Sequence, residues 1–254
     1  MVLASPRFLV ASLLVAAVFV GLIGSGGLAQ TPGGDPEDGR VTAPNGQGES
    51  ACAPGEYALR LGNGRTARMR VTPGPHTSMR GLILAFHGAG GSASEGLFVF
   101  RGAWKAPGLV LVAPAALGNS WSALQQKRDV DLVTVNRALA EAWRRCRIDR
   151  RRVAVGGFSD GATYALSIGL QNGDVFRSVL ALSPGGLRDV ERRGKPRVFI
   201  AHGKRDDVLP IGRSEAAVRT LRSSGYPVTY RRFGAGHQVT PAISGAAVRW
   251  YLRR

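Results

Sequence analysis

The chain has 254 residues, of which 44% are hydrophobic, and its formal net charge is +17. This length and composition are ordinary for one sizeable globular domain, so a two-domain chain is not expected. The two cysteines and four histidines show no zinc-binding spacing, and we therefore expect no metal site.

Arginine supplies most of the positive charge, with 30 of the 34 basic residues spread along the chain. Such a field favours anionic surfaces or substrates. No nucleic-acid-binding motif is present, so we expect no nucleic-acid partner. The one dense cluster, within 144–152, lies where a predicted helix ends and a strand begins. That position is typical of a solvated rim supported by the helix dipole.

The N-terminus has the pattern of a secretory leader. Arg7 provides a positive start, the run Phe8–Ile23 is apolar, and small residues lead up to Ala29. This pattern predicts a signal peptide over residues 1–29 and a secreted, periplasmic or cell-envelope protein. An uncleaved membrane anchor is the alternative, and only a retained leader would bring the protein to a membrane.

Two features follow from the expected export. Residues 30–50 are rich in glycine, proline and acidic residues, which predicts a disordered linker before a domain over 51–254. In an oxidising compartment an even pair of cysteines suggests a disulfide, here between Cys52 and Cys146. Two buried free thiols are the alternative.

Strand-like and helix-like segments alternate after the linker. The segments YALRL and ARMRV predict a hairpin at a sheet edge, and the apolar runs GLILAF and GLVLVAP suit strands covered on both faces. A helix over 129–146 follows, then the strand RVAVGGF, the helix GATYALSIGLQ, the strands SVLALSP and RVFIAHG, the helix GRSEAAVRTLRSSG, the strand VTYRRF and the helix PAISGAAVRWYLRR. This order predicts an α/β domain with a mostly parallel sheet, whose site lies beyond the carboxyl ends of the strands.

The segment 157–161, GFSDG, fits the pattern G-x-S-x-G between a predicted strand and a predicted helix. That context is the one a nucleophile elbow requires. Glycines are needed because the turn is too tight for Cβ atoms near the serine, and the helix N-terminus points its N–H groups at the reacting oxygen. We identify Ser159 as the nucleophile, with an ordinary small-residue turn as the alternative.

A serine nucleophile needs a base, and in this class the chain order is serine, acid, histidine. Only His202 and His237 follow Ser159. His202 directly precedes GKRDD and leaves no room for an acid, so His237 is the predicted base. Asp206 and Asp207 both follow a predicted strand as candidate acids, and their positions alone do not separate them.

The glycine-rich segment 87–91, HGAGG, follows another predicted strand. Its backbone N–H groups can point into the site, so we predict an oxyanion hole formed by the amides of Ala89 and Asp160. A phosphate cradle is the alternative, but the Lys-Ser/Thr ending of a P-loop is absent. Trp121, in LGNSW, either lines the substrate pocket or is an ordinary packed tryptophan.

Several of these segments resemble one known family. GGFSDGATYALSIGLQNGDVF, AHGKRDDVLPI and GAGHQVTP resemble the secreted phospholipase/carboxylesterase-like serine esterases of the α/β-hydrolase superfamily. HGAGG and LGNSW resemble its polyhydroxybutyrate depolymerase and feruloyl esterase branch. The resemblance covers roughly residues 80–253. It implies the α/β-hydrolase fold, and it implies Asp206 as the acid, because that residue ends the HG-x-x-D motif.

The residues and the resemblance together predict an exported, monomeric serine hydrolase that cleaves carboxylic esters through an acyl-enzyme, without metal or organic cofactor. No insertion is long enough for a lid domain, so an open cleft should accept small esters or ester-bearing polymers. One alternative keeps the same triad but cleaves peptide or amide bonds. Another is a non-catalytic basic protein that binds an anionic envelope polymer.

Overall fold

This computed structural model describes residues 39–42, 44, 52–75, 78–126 and 128–253. The described residues form eight strands and six α-helices joined by loops. The strands are β1 (Gly55–Arg60), β2 (Thr66–Val71), β3 (Arg80–Phe86), β4 (Leu109–Pro114), β5 (Ile148–Phe158), β6 (Ser178–Leu182), β7 (Arg197–Gly203) and β8 (Val228–Phe233). The helices are α1 (Ala93–Val99), α2 (Ser122–Gln125), α3 (Leu132–Arg145), α4 (Asp160–Gln171), α5 (Gly212–Ser223) and α6 (Pro241–Leu252). The expected signal peptide lies outside the described residues.

The strands form one sheet in the order β1-β2-β4-β3-β5-β6-β7-β8. β1 and β2 pair antiparallel and β2 pairs antiparallel with β4, whereas all pairs from β4 to β8 are parallel. The predicted edge hairpin and the mostly parallel sheet flanked by helices are therefore confirmed. The carboxyl ends of the parallel strands meet at one edge, where the loops predicted to carry the chemistry lie.

The two central apolar runs are buried along their whole length as β3 and β4. Successive β3 side chains point to opposite faces, so Leu82 and Leu84 pack in the core under α3, α4 and α5. Ile83 lies between them and packs in the second core, under α1 and α6. Helices on both faces explain why these strands are continuously apolar rather than alternating.

A disulfide joins Cys52, just before β1, to Cys146, directly after α3. The two Cα atoms are 4.9 Å apart and the cysteines are separated by 94 residues in the chain. Both side chains are buried in the core. The predicted pairing is present, and it attaches the start of the domain to the end of a long helix.

The short segment 39–42 lies against the domain although it falls within the expected linker. Arg40 forms a 2.7 Å ion pair with Asp174. The Val41 amide donates to Asn172 Oδ1 at 2.9 Å, and the Val41 side chain is buried. Outside 39–42 and residue 44, the expected linker falls outside the described residues. No helix in the described part of the chain is both long and apolar enough to cross a bilayer.

Candidate active site

The turn between β5 and α4 holds Ser159 in a strained backbone conformation. Its φ is 56° and its ψ is −123°, a region that residues with side chains rarely adopt. The Ser159 amide donates to Leu182 O at 3.0 Å, while its carbonyl accepts from the Ala162 amide of α4 at 3.0 Å. The end of the neighbouring strand β6 and the first turn of α4 therefore hold the serine at a sharp bend, as an elbow requires.

Both glycines of the GFSDG turn are required by close backbone packing. A Cβ on Gly157 would lie 2.4 Å from Gly161 O, and a Cβ on Gly161 would lie 2.3 Å from His87 O. Neither backbone oxygen can move away cheaply, because each belongs to the elbow or to the neighbouring strand end. The spacing seen in the sequence thus has the predicted steric cause.

Three loops bring the predicted nucleophile, base and acid together. His237, after β8, has Nε2 at 2.9 Å from Ser159 Oγ and Nδ1 at 2.8 Å from Asp206 Oδ2. Because a carboxylate only accepts, Nδ1 carries a proton and Nε2 is free to accept from the serine hydroxyl. Phe158 packs on the imidazole with ring centroids 4.7 Å apart, which restricts its rotation.

The structure distinguishes the two adjacent candidate acids. The Asp206 side chain is fully buried, and its Oδ1 accepts the amides of Val208 at 3.1 Å and Leu209 at 2.8 Å. Burial disfavours its charge, but the hydrogen bonds from the Leu209 amide and from His237 outweigh that effect, so the pKa of Asp206 lies below its usual value. Asp207 points to solvent.

The predicted oxyanion donors border the same serine. Asp160 directly follows it, and a Cβ on Gly88, the neighbour of Ala89, would lie 3.3 Å from Ser159 Cβ. In the described residues, neither the Ala89 nor the Asp160 N–H has a protein acceptor. Two unengaged amides beside the nucleophile are what an oxyanion hole needs.

Comparisons with known proteins agree with this architecture. The chain is 29% identical over 184 residues to MhqD of Bacillus subtilis, a hydrolase by name, covering 67% of this chain and 92% of that protein. It resembles the crystal structure of esterase PE8 with a TM-score of 0.61 and 23% identity, over 74% of this chain and 99% of that one. It also resembles a phospholipase/carboxylesterase from Dyadobacter fermentans with a TM-score of 0.56 and 19% identity, over 80% and 98%. No protein-family model matches the chain.

The protein has the α/β-hydrolase fold. The resemblance drawn from the elbow, the HG-x-x-D segment and the final histidine segment is therefore confirmed at the level of the fold. The described part of the chain contains no group of three or more histidine, cysteine, aspartate or glutamate side chains arranged to hold a metal ion.

A second histidine contacts the predicted acid Asp206, a contact that the sequence did not predict. His202 is fully buried, and its Nε2 lies 2.9 Å from Leu209 O and 3.1 Å from Asp206 Oδ2. Since a carbonyl only accepts, Nε2 carries the proton, and Nδ1 accepts the Ser214 hydroxyl at 2.6 Å. The HG-x-x-D segment, which places both residues at the carboxyl end of β7, is the signal that could have pointed to this contact.

Another buried histidine holds the loop that carries Ala89. His87 Nδ1 donates to Gly88 O at 2.7 Å, and its Nε2 accepts the Ala116 amide at 3.1 Å. Burial lowers the pKa of His87, which keeps the ring neutral and able to accept. His87 thus fixes the loop that carries Ala89, the predicted oxyanion donor.

The expected pocket role of Trp121 is wrong. Its side chain is fully buried, stacks on Tyr164 at 4.9 Å, and donates its indole N–H to His87 O at 3.0 Å. A side chain without exposed surface offers nothing to a substrate. The path of the loop after β4 directs this indole into the core, where it contacts the segment that carries the predicted oxyanion donor Ala89.

Two buried carboxylates anchor the LGNSW loop, and the sequence analysis missed both. Asp131 accepts the amides of Leu117 at 2.9 Å and Ser122 at 2.7 Å. Asp129 accepts the Tyr164 hydroxyl at 2.7 Å, and burial raises its pKa. Asp129 Oδ1 also accepts the amide of Leu132, where α3 begins, so the helix starts three residues later than predicted.

Proposed function

We propose that this protein is a serine hydrolase that cleaves carboxylic esters through a covalent acyl-enzyme. The observation that carries the proposal is the 2.9 Å contact between Ser159 Oγ and His237 Nε2, with Asp206 behind the imidazole. The esterase and hydrolase names of the relatives support the same bond class.

In the first step His237 Nε2 takes the proton of the Ser159 hydroxyl as Oγ attacks the ester carbonyl carbon. The carbonyl π electrons move to its oxygen, which becomes negative and is received by the amides of Ala89 and Asp160. Collapse of this intermediate breaks the bond to the alcohol oxygen, which leaves with the proton from His237. Water then gives a proton to the same imidazole and attacks the acyl carbon, after which the bond between that carbon and Ser159 Oγ breaks. The carboxylic acid leaves, and Oγ takes the proton back from His237.

Asp206 stabilises the imidazolium that forms in each half-reaction. Its lowered pKa keeps the carboxylate charged at neutral pH, so it can hold the Nδ1 proton and offset the positive ring. Each amide of the oxyanion hole contributes about 10²–10³ in rate in comparable enzymes. These groups are already oriented before substrate binds, which lowers the reorganisation cost of the reaction.

We further propose that the enzyme acts after export, as a monomer, on small esters or ester-bearing polymers. The leader pattern over residues 1–29 supports export. N-terminal sequencing of protein recovered outside the cytoplasm should read from Gln30. Recovery of full-length protein in the membrane fraction would instead support an uncleaved anchor.

The deciding experiment compares wild type with Ser159→Ala on p-nitrophenyl acetate and p-nitrophenyl butyrate. We expect the variant to lose turnover by about 10⁴-fold or more, to lose labelling by a fluorophosphonate, and to keep the circular dichroism spectrum of the wild type. Ser223→Ala, at an exposed serine of α5, is the matched control and should behave like wild type.

Normal turnover in Ser159→Ala would refute the proposal. Faster cleavage of a peptide anilide than of either ester would point to a peptidase or amidase with the same triad. A wild-type protein that neither turns over an ester nor reacts with the probe would favour a binding protein.

A further inference from the structure

A cleft lined by four arginines lies at the amino ends of three neighbouring strands. It has a volume of about 160 Å³, and Arg151, Arg152, Arg177 and Arg197 line it together with Ser178. None of its lining residues is acidic. Four arginines around one small cleft, with no acidic residue among its lining residues, produce a concentrated positive potential.

Local backbone structure places two of these arginines. In the ladder between β3 and β5, Arg80 pairs with Ile148, and the next pair along the ladder is Leu82 with Val153. More residues of β5 than of β3 therefore lie between these two pairs. The extra residues of β5 bulge out of the ladder, which is what directs a strand segment away from its sheet. Arg151 and Arg152 lie in this bulge, at the edge of the cleft.

The arginines that line the cleft do not form ion pairs with carboxylates in the described part of the chain. Arg197 donates to Arg253 O at 2.8 Å and lies over the Trp250 ring at 4.6 Å, which fixes its guanidinium against the end of α6. Arg177 makes only a 3.4 Å contact with Gly173 O. In the described residues, no carboxylate forms an ion pair with Arg151, Arg152 or Arg177.

The cleft is remote from the catalytic edge. Arg197 begins β7, whereas Asp206 follows the far end of the same strand. A seven-residue strand spans roughly 20 Å, so a ligand in the cleft leaves the nucleophile accessible. The cleft is therefore a second site and not an extension of the first.

We propose that this cleft binds a phosphate group. Planar guanidinium groups donate paired N–H bonds that match phosphate oxygens, and several of them around one hollow suit a tetrahedral anion. The Ser178 hydroxyl can add a donor, and it already accepts from Arg197 at 3.4 Å. The phosphate is either a free ion or the headgroup of a phospholipid, which share the same chemistry.

The test titrates inorganic phosphate into the purified protein by calorimetry, with chloride balancing the ionic strength. The double variant Arg151→Gln/Arg177→Gln removes two exposed cleft arginines. Arg60→Gln/Arg219→Gln is the matched control, because it removes the same charge from exposed arginines outside the cleft. We expect saturable binding that weakens roughly tenfold in the cleft pair and less than about twofold in the control pair.

A second arm measures co-sedimentation with vesicles of phosphatidylglycerol and phosphatidylcholine. If vesicle binding weakens in the cleft pair and not in the control pair, the phospholipid headgroup is a source of the bound phosphate. If the protein binds inorganic phosphate but not vesicles, the source is the free ion. Turnover of p-nitrophenyl acetate should stay at the wild-type level in both pairs and so reports correct folding. Absence of binding to both inorganic phosphate and the vesicles, or an equal loss in both pairs, would overturn the proposal.

Discussion

Ser120 donates a hydrogen bond from Oγ to Asp160 Oδ2 at 2.5 Å, which connects the loop after β4 to the residue that follows Ser159, the proposed nucleophile. Neither side chain belongs to the triad. The contact instead holds the peptide unit whose N–H is the proposed oxyanion donor. Because Asp131 and Trp121 anchor the same loop, the hydrogen bond starts from a fixed position.

Replacing Ser120 by alanine should slow the reaction while leaving substrate binding nearly unchanged. Loss of the whole donor costs about 10²–10³ in rate, so a donor that is present but less well held should cost about tenfold in kcat. Steady-state kinetics on p-nitrophenyl butyrate would show a lower kcat and a similar KM. A raised KM at constant kcat would mean that Ser120 contacts the substrate instead.

Adjacent aspartates provide an internal control for the acid. Asp206→Asn should lower kcat by about 10⁴, because the amide stabilises the wrong imidazole tautomer. Asp207→Asn changes the same charge on an exposed side chain and should leave kcat within about twofold of wild type. Similar losses in both variants would show that charge near the site, rather than the contact with His237, matters.

The elbow should not tolerate a methyl group. Gly161→Ala places Cβ 2.3 Å from His87 O and 2.5 Å from Phe86 O, so we expect a loss of about 3 kcal/mol or more in the free energy of unfolding. Gly212→Ala meets no atom within 4 Å and should leave stability unchanged or raise it by up to about 1 kcal/mol. Urea denaturation of both variants measures the difference.

The disulfide should stabilise the domain mainly through the unfolded chain. It closes a loop of 94 residues, so Cys52→Ala/Cys146→Ala should lower the free energy of unfolding by about 4 kcal/mol. Reductant should bring the wild type towards the double variant and have no effect on the variant itself. Equal stability of oxidised and reduced wild type would contradict this expectation.

Glu141 should make stability depend on pH in the acid range. Hydrogen bonds from Arg144, together with those from Arg145, lower its pKa to about 2. A carboxyl group whose pKa is lower in the folded than in the unfolded state stabilises the fold at pH values above its unfolded pKa of about 4.3. That stabilisation disappears as the pH falls towards the folded pKa. Glu141→Gln should therefore cost about 0.5–1 kcal/mol at pH 7.

The difference between Glu141→Gln and wild type should shrink as pH falls from about 4 towards 2. Urea denaturation at a series of pH values measures it. Glu191→Gln, at a side chain that is 74% exposed, is the matched control and should have a smaller effect. A difference that grows in acid would show that Glu141 acts by some other means.

Local patterns in the sequence were enough to predict the chain order of the eight strands and of four of the six helices, the mostly parallel sheet, and Ser159 as the candidate nucleophile; the short helices α1 and α2 were not predicted. Each of these depends on residues close together in the chain. The alternation of apolar and polar residues in YALRL predicts an edge strand. The glycines around Ser159 predict a tight turn without any knowledge of the rest of the fold. The chain order of serine, acid and histidine leaves His202 and His237 as candidate bases, and the position of His202 directly before GKRDD then favours His237.

Contacts between distant loops were decided only by the tertiary structure. Asp206 and Asp207 are alike in sequence, and the backbone after β7 turns one inward to His237 and the other to solvent. The same holds for Trp121, whose burial depends on which way its loop runs over Tyr164. Side-chain direction in a loop depends on what packs against it, and for these residues the partners lie tens of positions away in the chain.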